Sequence, residues 1–423
     1  MVANSSRSET VDRLRLLGVS GSTRVVEGEL RRIVRRAWDR DNAERLLERP
    51  AEKVGPTAIA MPFSPALAAI LATYHRTSAR LLWDLYEFEE VRLEPLYEAV
   101  YSAVAADRRP FFGTGPRIPI TVESSADLPI EANARQVVGA VKNALTDAAR
   151  SKGLELVVDP EHPALTFSIR AYQARDGYAR TTLSLDVAGR PLHERGYRTL
   201  GGDAPLREDL AALLVMLSRF DARREALLDP LSGSGTLAIE AALMAQGKPI
   251  WTSGRKPQLA THPLFEAEFA KWKAPLFADT EAAIFTCESD PETAELQDRA
   301  LQTAGVERLV KFRQGDFRDL DPVVLLEEVQ RQGKSGGVLL TNPPYGGRLS
   351  YDERELFELY QAVHELWRSL PGFRAALFVG EPENTDETPR IRLIEKAFRG
   401  RPRVHKPLKN GPMRASFLLY DEG

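Results

Sequence analysis

An α/β architecture is predicted for this chain: a mostly parallel sheet with helices on both faces, preceded by a smaller α+β unit. Three observations carry that expectation. From Glu225 onward, short apolar runs alternate with helical stretches, the pattern of strands joined by crossover helices. The runs end at loop-opening residues, namely Gly233 and Gly235, then Glu288, Asp316 and Asn342, and open α/β sheets place their ligands at such carboxyl ends. Before residue 190, by contrast, a strand, a long helix and a pair of strands follow one another.

The first 55 residues are the least legible. Glu29 to Arg40 reads as a helix with a basic stripe of Arg31, Arg32, Arg35 and Arg36. That stripe suits either RNA phosphates or pairing with Glu27, Glu29 and Asp39. Residues 56–190 form the next unit. Gly55 to Phe63 reads as a strand and Pro65 to Tyr86 as a helix, with Ala, Leu and Ile on one face. Residues 109–119 are rich in Pro and Gly and mark a boundary or loop. Ile118 to Val122 is a strand. Glu131 to Lys152 is a helix, because Val137, Val138, Val141, Leu145 and Ala148 recur at helical spacing. Leu165 to Tyr172 and Tyr178 to Val187 are strands, the second alternating Leu183, Leu185 and Val187 with polar neighbours.

Residues 191–222 read as a connection containing a helix from Ala204 to Leu214, with Pro205 near its start, where a missing N–H costs nothing. The last domain is 223–423. Its predicted strands are Ala226 to Asp229, Ala283 to Cys287, Leu309 to Phe312, Gly337 to Leu340, Ala375 to Val379 and Phe417 to Tyr420. Helices fall between them, with one from Leu237 to Ala245 and one from Tyr351 to Leu370. An insertion at 247–281 carries Trp251, Trp272 and several prolines, with no role that the sequence assigns.

Composition narrows the classes. At 423 residues the chain has room for roughly three domains of about 150 each. Net charge is −3 and the pI about 6.2, so nucleic-acid contact must come from local patches. Cys287 is the single cysteine, which excludes an internal disulfide and a thiolate zinc site. The six histidines show no metal-ligand spacing, and no metal is expected. The N-terminus has no apolar signal region, and no apolar run approaches the ~20 residues of a membrane helix. A soluble cytoplasmic chain is expected; its oligomeric state is not encoded in any pattern seen.

The corner Thr341-Asn342-Pro343-Pro344-Tyr345-Gly346-Gly347-Arg348 is the most informative stretch. Two prolines stiffen it. Asn342 offers a carbonyl acceptor and Pro343 its own main-chain carbonyl, a pair able to accept both hydrogens of an exocyclic NH2. Tyr345 offers a flat face to a planar base. The corner reads as a clamp for a nucleobase amine or, more simply, as a Pro-rich turn. Upstream, Gly233 and Gly235 allow close backbone approach. Glu288 suits a ribose diol, and Asp316 with Phe317 an adenine. This order of glycine loop, ribose acid and adenine acid fits S-adenosylmethionine better than NAD, whose acid lies about 20 residues on. Taken singly, Glu288 and Asp316 read equally well as helix N-terminal acids.

Leu228-Asp-Pro-Leu-Ser-Gly-Ser-Gly-Thr236 and the Asn342 corner together resemble the THUMP-domain class I RNA methyltransferases. The nearest likeness is to the bacterial large-subunit rRNA guanine-N2 methyltransferases (RlmL-like). Leu192-His-Glu-Arg-Gly-Tyr-Arg198, Ala204-Pro-Leu-Arg-Glu208 and Lys409-Asn-Gly-Pro412 look like further signatures, and the resemblance covers about residues 60–420. It implies a ferredoxin-like and THUMP region that binds structured RNA, then a Rossmann-like class I methyltransferase domain using S-adenosylmethionine. By position, Asp229, Ser232, Gly233, Gly235 and Thr236 would line the methionine end of the cofactor. Glu288 would hold the ribose, with Asp290 as the alternative, and Asp316 with Phe317 the adenine. Asn342, Pro343, Pro344 and Tyr345 would hold the target base. Ser232 stands where the family usually has Cys. The second methyltransferase half of some relatives is expected to be lacking. The implied reaction is methylation of a guanosine N2 amine in rRNA. Alternatives are a tRNA guanine-N2 methyltransferase, an adenine-N6 methyltransferase, and an inactive RNA-binding assembly factor. A basic run of Arg399, Arg401, Arg403, Lys406, Lys409 and Arg414 reads as an RNA surface or a solvated loop.

Overall fold

A computed structural model describes residues 8–48, 51–89, 92–124, 133–173, 179–198, 206–277, 280–344, 352–381, 388–411 and 413–421. The N-terminal half contains β1 (Ser8–Gly18), α1 (Thr23–Ala37), α2 (Arg40–Leu47), β2 (Glu52–Val54), β3 (Ala58–Pro62), α3 (Pro65–Tyr74) and β4 (Ser78–Phe88). It continues with α4 (Leu93–Ala106), β5 (Arg117–Ser124), α5 (Ala134–Ser151), β6 (Glu155–Val158), β7 (Leu165–Gln173) and β8 (Ala179–Asp186). All eight strands join one sheet, ordered β2-β3-β1-β4-β8-β7-β5-β6. Alternation sorts its faces. Leu14, Leu16, Leu81, Trp83, Phe167, Ile169, Leu183 and Leu185 enter the core with the apolar sides of α1, α3, α4 and α5. Arg13, Arg15, Asp84, Arg170, Tyr172 and Ser184 take the opposite face.

The C-terminal half begins with α6 (Glu208–Leu217), β9 (Ala226–Asp229), α7 (Thr236–Ala245), α8 (Glu266–Phe269), β10 (Ala283–Glu288), α9 (Pro291–Ala304) and β11 (Val310–Gln314). Then come α10 (Pro322–Arg331), β12 (Gly337–Thr341), α11 (Glu353–Arg368), β13 (Phe373–Gly380), α12 (Arg390–Ala397), β14 (Val404–Asn410) and β15 (Met413–Tyr420). The strand order is β11-β10-β9-β12-β13-β15-β14, parallel from β11 to β13 and antiparallel where β15 joins. Leu227, Ile284, Val338 and Leu340 pack on one side with α6, α7 and α9. Leu228, Phe285, Leu339 and Leu377 pack on the other with α10, α11 and α12. The chain builds outward from β9 in one direction, then crosses to β12 and builds in the other. The crevice at that reversal is where such sheets bind ligands.

Several expectations need correction. The helix predicted from Pro65 to Tyr86 stops at Tyr74, and residues 78–88 are β4. Both segments are rich in Ala and Leu, but Leu81, Trp83 and Leu85 recur with period two. The first 55 residues hold β1, which pairs with both β3 and β4 inside the sheet. The arginine stripe on α1 does not pair with Glu29, which is 3% exposed and accepts from the Arg76 and Thr77 amides and the Thr77 hydroxyl. Arg31 instead bonds Glu27, and Arg36 lies over Phe277 at 4.4 Å. The helix expected from Ala204 starts at Glu208, while Pro205 lies outside the described residues. Part of the C-terminal basic run is strand β14, and Arg403 pairs with Asp421.

The insertion acquires a role as a strap. Ile250 N–H donates to the Thr73 carbonyl (2.8 Å) and Trp251 Nε1 to the Ala72 carbonyl (2.7 Å). Ile250, Leu259, Phe265 and Phe269 are core residues of the N-terminal half, and Phe265 meets Trp83 edge-on at 5.9 Å. Beside the strap, Glu240 on α7 is fully buried. It accepts hydrogen bonds from Arg76 Nη1 (3.1 Å), Arg195 Nε (3.3 Å) and the Tyr197 hydroxyl (3.1 Å). Arg76 belongs to the N-terminal half and Arg195 to the connection, so one carboxylate joins three segments. Replacing Glu240 with Ala strands two buried guanidinium groups. The expected loss is about 3–5 kcal/mol in denaturant unfolding, with a single transition retained.

Candidate active site

The site is built from the carboxyl ends of β9, β10, β11 and β12. Asp229 ends β9 and is 1% exposed. Its Oδ1 accepts from the Thr341 hydroxyl at 2.7 Å and the Leu231 N–H at 3.4 Å. Thr341 ends β12, so this bond ties the two strands across the reversal. Burial pushes the Asp229 carboxyl up to about 7, against the Thr341 and Leu231 hydrogen bonds, which favour the charge; Glu288 adds a small upward push.

The loop after Asp229 turns through two left-handed glycines, Gly233 (φ 54°) and Gly235 (φ 77°), and Gly235 is the N-cap of α7. Ser232 anchors the loop from beneath. Its N–H donates to the Cys287 carbonyl (3.0 Å), and its hydroxyl lies 2.6 Å from Gln297 Oε1 and 3.0 Å from that same carbonyl. Gln297 Nε2 in turn donates to Thr286 Oγ1 (2.7 Å). The Ser232 side chain therefore shapes the loop. A Cβ on Gly233 would meet no atom within 4 Å, so this part of the loop faces open space. Thr236 opens α7, buried, with Arg198 Nη2 3.5 Å from its hydroxyl.

At the end of β10, Glu288 and Asp290 separate by task. Asp290 is the N-cap of α9 and accepts from Thr293 N–H at 2.8 Å. Glu288 turns to the glycine loop: Oε2 accepts from Gly233 N–H (2.9 Å) and Oε1 from Asp290 N–H (2.8 Å). Each oxygen keeps lone-pair capacity for a further donor. On β11 the register sets Gln314 beside Glu288, so Asp316 lies just beyond it. Asp316 caps the short turn 317–319, accepting from the Arg318 N–H (2.9 Å) and pairing with its guanidinium (3.0 Å). Phe317 is 3% exposed and packs into the core with Leu325 and Val329.

Beyond β12 the corner begins as expected. Pro343 is buried, and the Pro344 carbonyl accepts from the Tyr360 hydroxyl on α11 at 3.0 Å. Asn342 Oδ1 is shut off from solvent and has no hydrogen-bond partner among the described residues. Such an orphan acceptor costs about 1–3 kcal/mol unless a ligand donor meets it. Tyr345 lies outside the described residues. The structure thus brings together Asp229, Ser232, Gly233, Gly235, Thr236 and Glu288, with Asp316 and Asn342 at flanking strand ends.

Three participants went unread in the sequence. Thr341 opens the corner with no role of its own in the sequence, and Gln297 reads as an ordinary helix residue. Gln297 does carry a signal, since it is a polar position on the buried stripe of Ala294, Ala300 and Leu301. Glu208 sat in a stretch named without a role. It is 3% exposed, its Oε2 has no partner among the described residues, and burial raises its carboxyl to about 7, with Arg198 opposing. No group of three or more His, Cys, Asp or Glu among the described residues is placed to hold a metal. No described helix is long and apolar enough to cross a membrane.

Comparison with known proteins gives a consistent result. Residues 195–390 match the family described as RMKL-like, methyltransferase domain. The ribosomal RNA large subunit methyltransferase K/L of Pseudomonas entomophila is 32% identical over 329 residues, 74% of this chain and 42% of that protein. The protein of that name from Syntrophotalea carbinolica is 30% identical over 355 residues, 81% of this chain and 47% of its own length. The chain thus spans less than half the length of these relatives. Among solved structures, SMU.472 in complex with SAH superposes with a TM-score of 0.73 at 21% identity, covering 98% of this chain and 99% of that one. TrmN from Thermus thermophilus gives 0.61 at 21% identity, covering 97% and 100%.

Two expectations follow from the loop. Gly235→Ala forces a left-handed alanine whose Cβ falls 2.8 Å from Gln297 Cγ, and Gln297 is held at both ends of its amide. A loss of about 1–3 kcal/mol is expected in the denaturant midpoint. Asp229 also gives stability a pH signature. Its folded pKa of about 7 lies above the ordinary 3.8, so between these values the folded state holds a proton that the unfolded state has lost. Stability therefore falls as pH rises from about 4 to about 7. Asp229→Asn should remove this contribution, so its unfolding free energy gains on the parent across that window.

Proposed function

We propose that this chain, whose residues 195–390 belong to the RMKL-like methyltransferase domain family, methylates an exocyclic guanosine N2 amine in large-subunit rRNA. The C-terminal half has the Rossmann-like class I methyltransferase fold, with the glycine loop at the strand-order reversal. The residues present fit S-adenosylmethionine. Gly233 opens onto free space, and Glu288 stands beside it with acceptor capacity left for a diol. Asp229, Ser232, Gly233, Gly235 and Thr236 would hold the methionine end, Glu288 the ribose, and Asp316 the adenine amine, with buried Phe317 fixing the turn that presents it. When bound, that cofactor supplies an electrophilic methyl group on a sulfonium.

The observation that carries the reading is the orphan Asn342 Oδ1. A target amine donating to it and to the Pro343 carbonyl has both hydrogens engaged, which leaves its lone pair directed out of the corner. Tyr360 pins the next carbonyl, at Pro344, so the corner is rigid before any base arrives. A base reaches it only by leaving its stack, at a cost of a few kcal/mol. Positioning then supplies most of the acceleration. Among the described residues no group donates to Asn342 Oδ1, and the amine proton can pass to a carbonyl or to water after attack. The N-terminal half, read as the THUMP-containing region, would present the RNA, and the unit would act where the ribosome is made, in the cytoplasm.

Asn342→Ala should lower kcat by about a hundredfold or more while leaving the calorimetric affinity for S-adenosylhomocysteine within a factor of about three. Normal turnover by that variant would sink the clamp. Mass mapping of modified nucleosides in a deletion strain should show N2-methylguanosine missing from large-subunit rRNA. Its loss from tRNA, or the loss of N6-methyladenosine, would reassign the substrate.

A further inference from the structure

The face of the eight-stranded sheet turned away from α1, α3, α4 and α5 carries charge. Its arginines are matched to acids one after another. Arg13 bonds Asp84 (2.8 Å) and Glu87 (2.7 Å), and Arg15 pairs with Asp84 (2.7 Å). Arg80 pairs with Asp186 (2.6 Å) and Glu123 (2.9 Å), and Arg180 with Glu87 (3.0 Å). Arg170 on β7 lies among them and breaks the pattern. It is half-buried, makes no hydrogen bond or ion pair among the described residues, and its Nε is closed off from solvent without a partner. Burial, then the neighbouring charges of Arg80 and Arg15, push its pKa down from the ordinary arginine range, against Asp186 and Glu123.

Five guanidinium groups thus face four carboxylates among the described residues, and the unmatched one is half-buried with its Nε closed off from solvent. Its cross-strand neighbour Thr182 and the adjacent Ser184 are fully covered, so the floor beneath it is polar. A guanidinium fork matches a phosphate oxygen pair, a geometry that a single point charge lacks. We propose that Arg170, on the charged face of the N-terminal sheet, is a binding site for one backbone phosphate of the RNA substrate. The proposal rests on the methyltransferase reading above. Because Glu240 and the strap lock this sheet to the glycine loop, a phosphate fixed here also sets where the target base falls.

The test is fluorescence anisotropy of the full chain with a hairpin of large-subunit rRNA, titrated at several salt concentrations. Arg170→Gln should weaken binding several-fold and reduce the slope of log K against log salt by about one. Arg170→Lys should keep the slope and lose part of the affinity. The melting temperature of Arg170→Gln should stay level or rise, since an unmatched half-buried charge is gone, and its affinity for S-adenosylhomocysteine should not change. Unchanged RNA affinity and slope would overturn the site and leave the methyltransferase reading standing. A fall in melting temperature together with weaker S-adenosylhomocysteine binding would mean that Arg170 is structural, and would overturn it too. Failure of the parent chain to bind any rRNA hairpin would instead strike the reading on which the site rests.

Discussion

A carboxylate taken wholly out of water must be met by partners or it opposes folding. Glu240 is such a group, and what meets it comes from elsewhere in the chain: Arg76 from the end of α3, Arg195 and Tyr197 from the connection. Arg76 also donates to the Lys248 carbonyl (2.6 Å) and Arg195 to the Arg76 carbonyl (2.7 Å). Glu240 lies one helical turn beyond Thr236, so the helix that carries the glycine loop is seated by the N-terminal half. The placement of the loop, of Asp229 below it, and of the polar sheet face relative to both depends on this one buried junction.

The active-site edge follows a different electrostatic logic. Asp229 and Glu208 are both deeply buried; a hydroxyl and an amide attend the first, and Arg198 Nη2 lies 3.5 Å from Oε1 of the second. Burial holds both toward the neutral form near pH 7. A carboxyl in that state responds strongly to any positive group brought beside it, since the charge it then recovers is compensated at once. Glu288 is only half-buried and accepts two main-chain N–H bonds, with lone-pair capacity left for a further donor.

Much of the C-terminal half could be read from residues alone because parallel strands buried on both faces are short continuous apolar runs, and their ends are marked by Gly, Asp, Glu or Asn. The N-terminal half was less legible. In β1 and β4 the outward face carries Arg13, Arg15, Arg80 and Asp84, which pair across strands and so sit where polar residues look solvent-exposed. Ala-rich α3 runs into Leu-rich β4 with only His75, Arg76 and Thr77 between, and no Gly or Pro announces the boundary. At the site, the glycines and strand-end acids could be found because their backbone or charge is unusual. Thr341 and Gln297 could not, since their work is a hydrogen bond to a distant segment. The insertion was opaque for the same reason: Trp251, Phe265 and Trp272 are explained by surfaces remote in sequence.

The strap has a further meaning for how the molecule is put together. It leaves the C-terminal half after α7, supplies Ile250, Leu259, Phe265 and Phe269 to the interior of the other half, and returns at β10. Neither lobe therefore owns a complete interior. A fragment cut near residue 190 would show Trp83 and Phe63 to water, and the complementary fragment would carry an apolar ribbon with nowhere to dock. The polypeptide must be synthesised well past its midpoint before its first lobe can close, and the two lobes are obliged to melt as one.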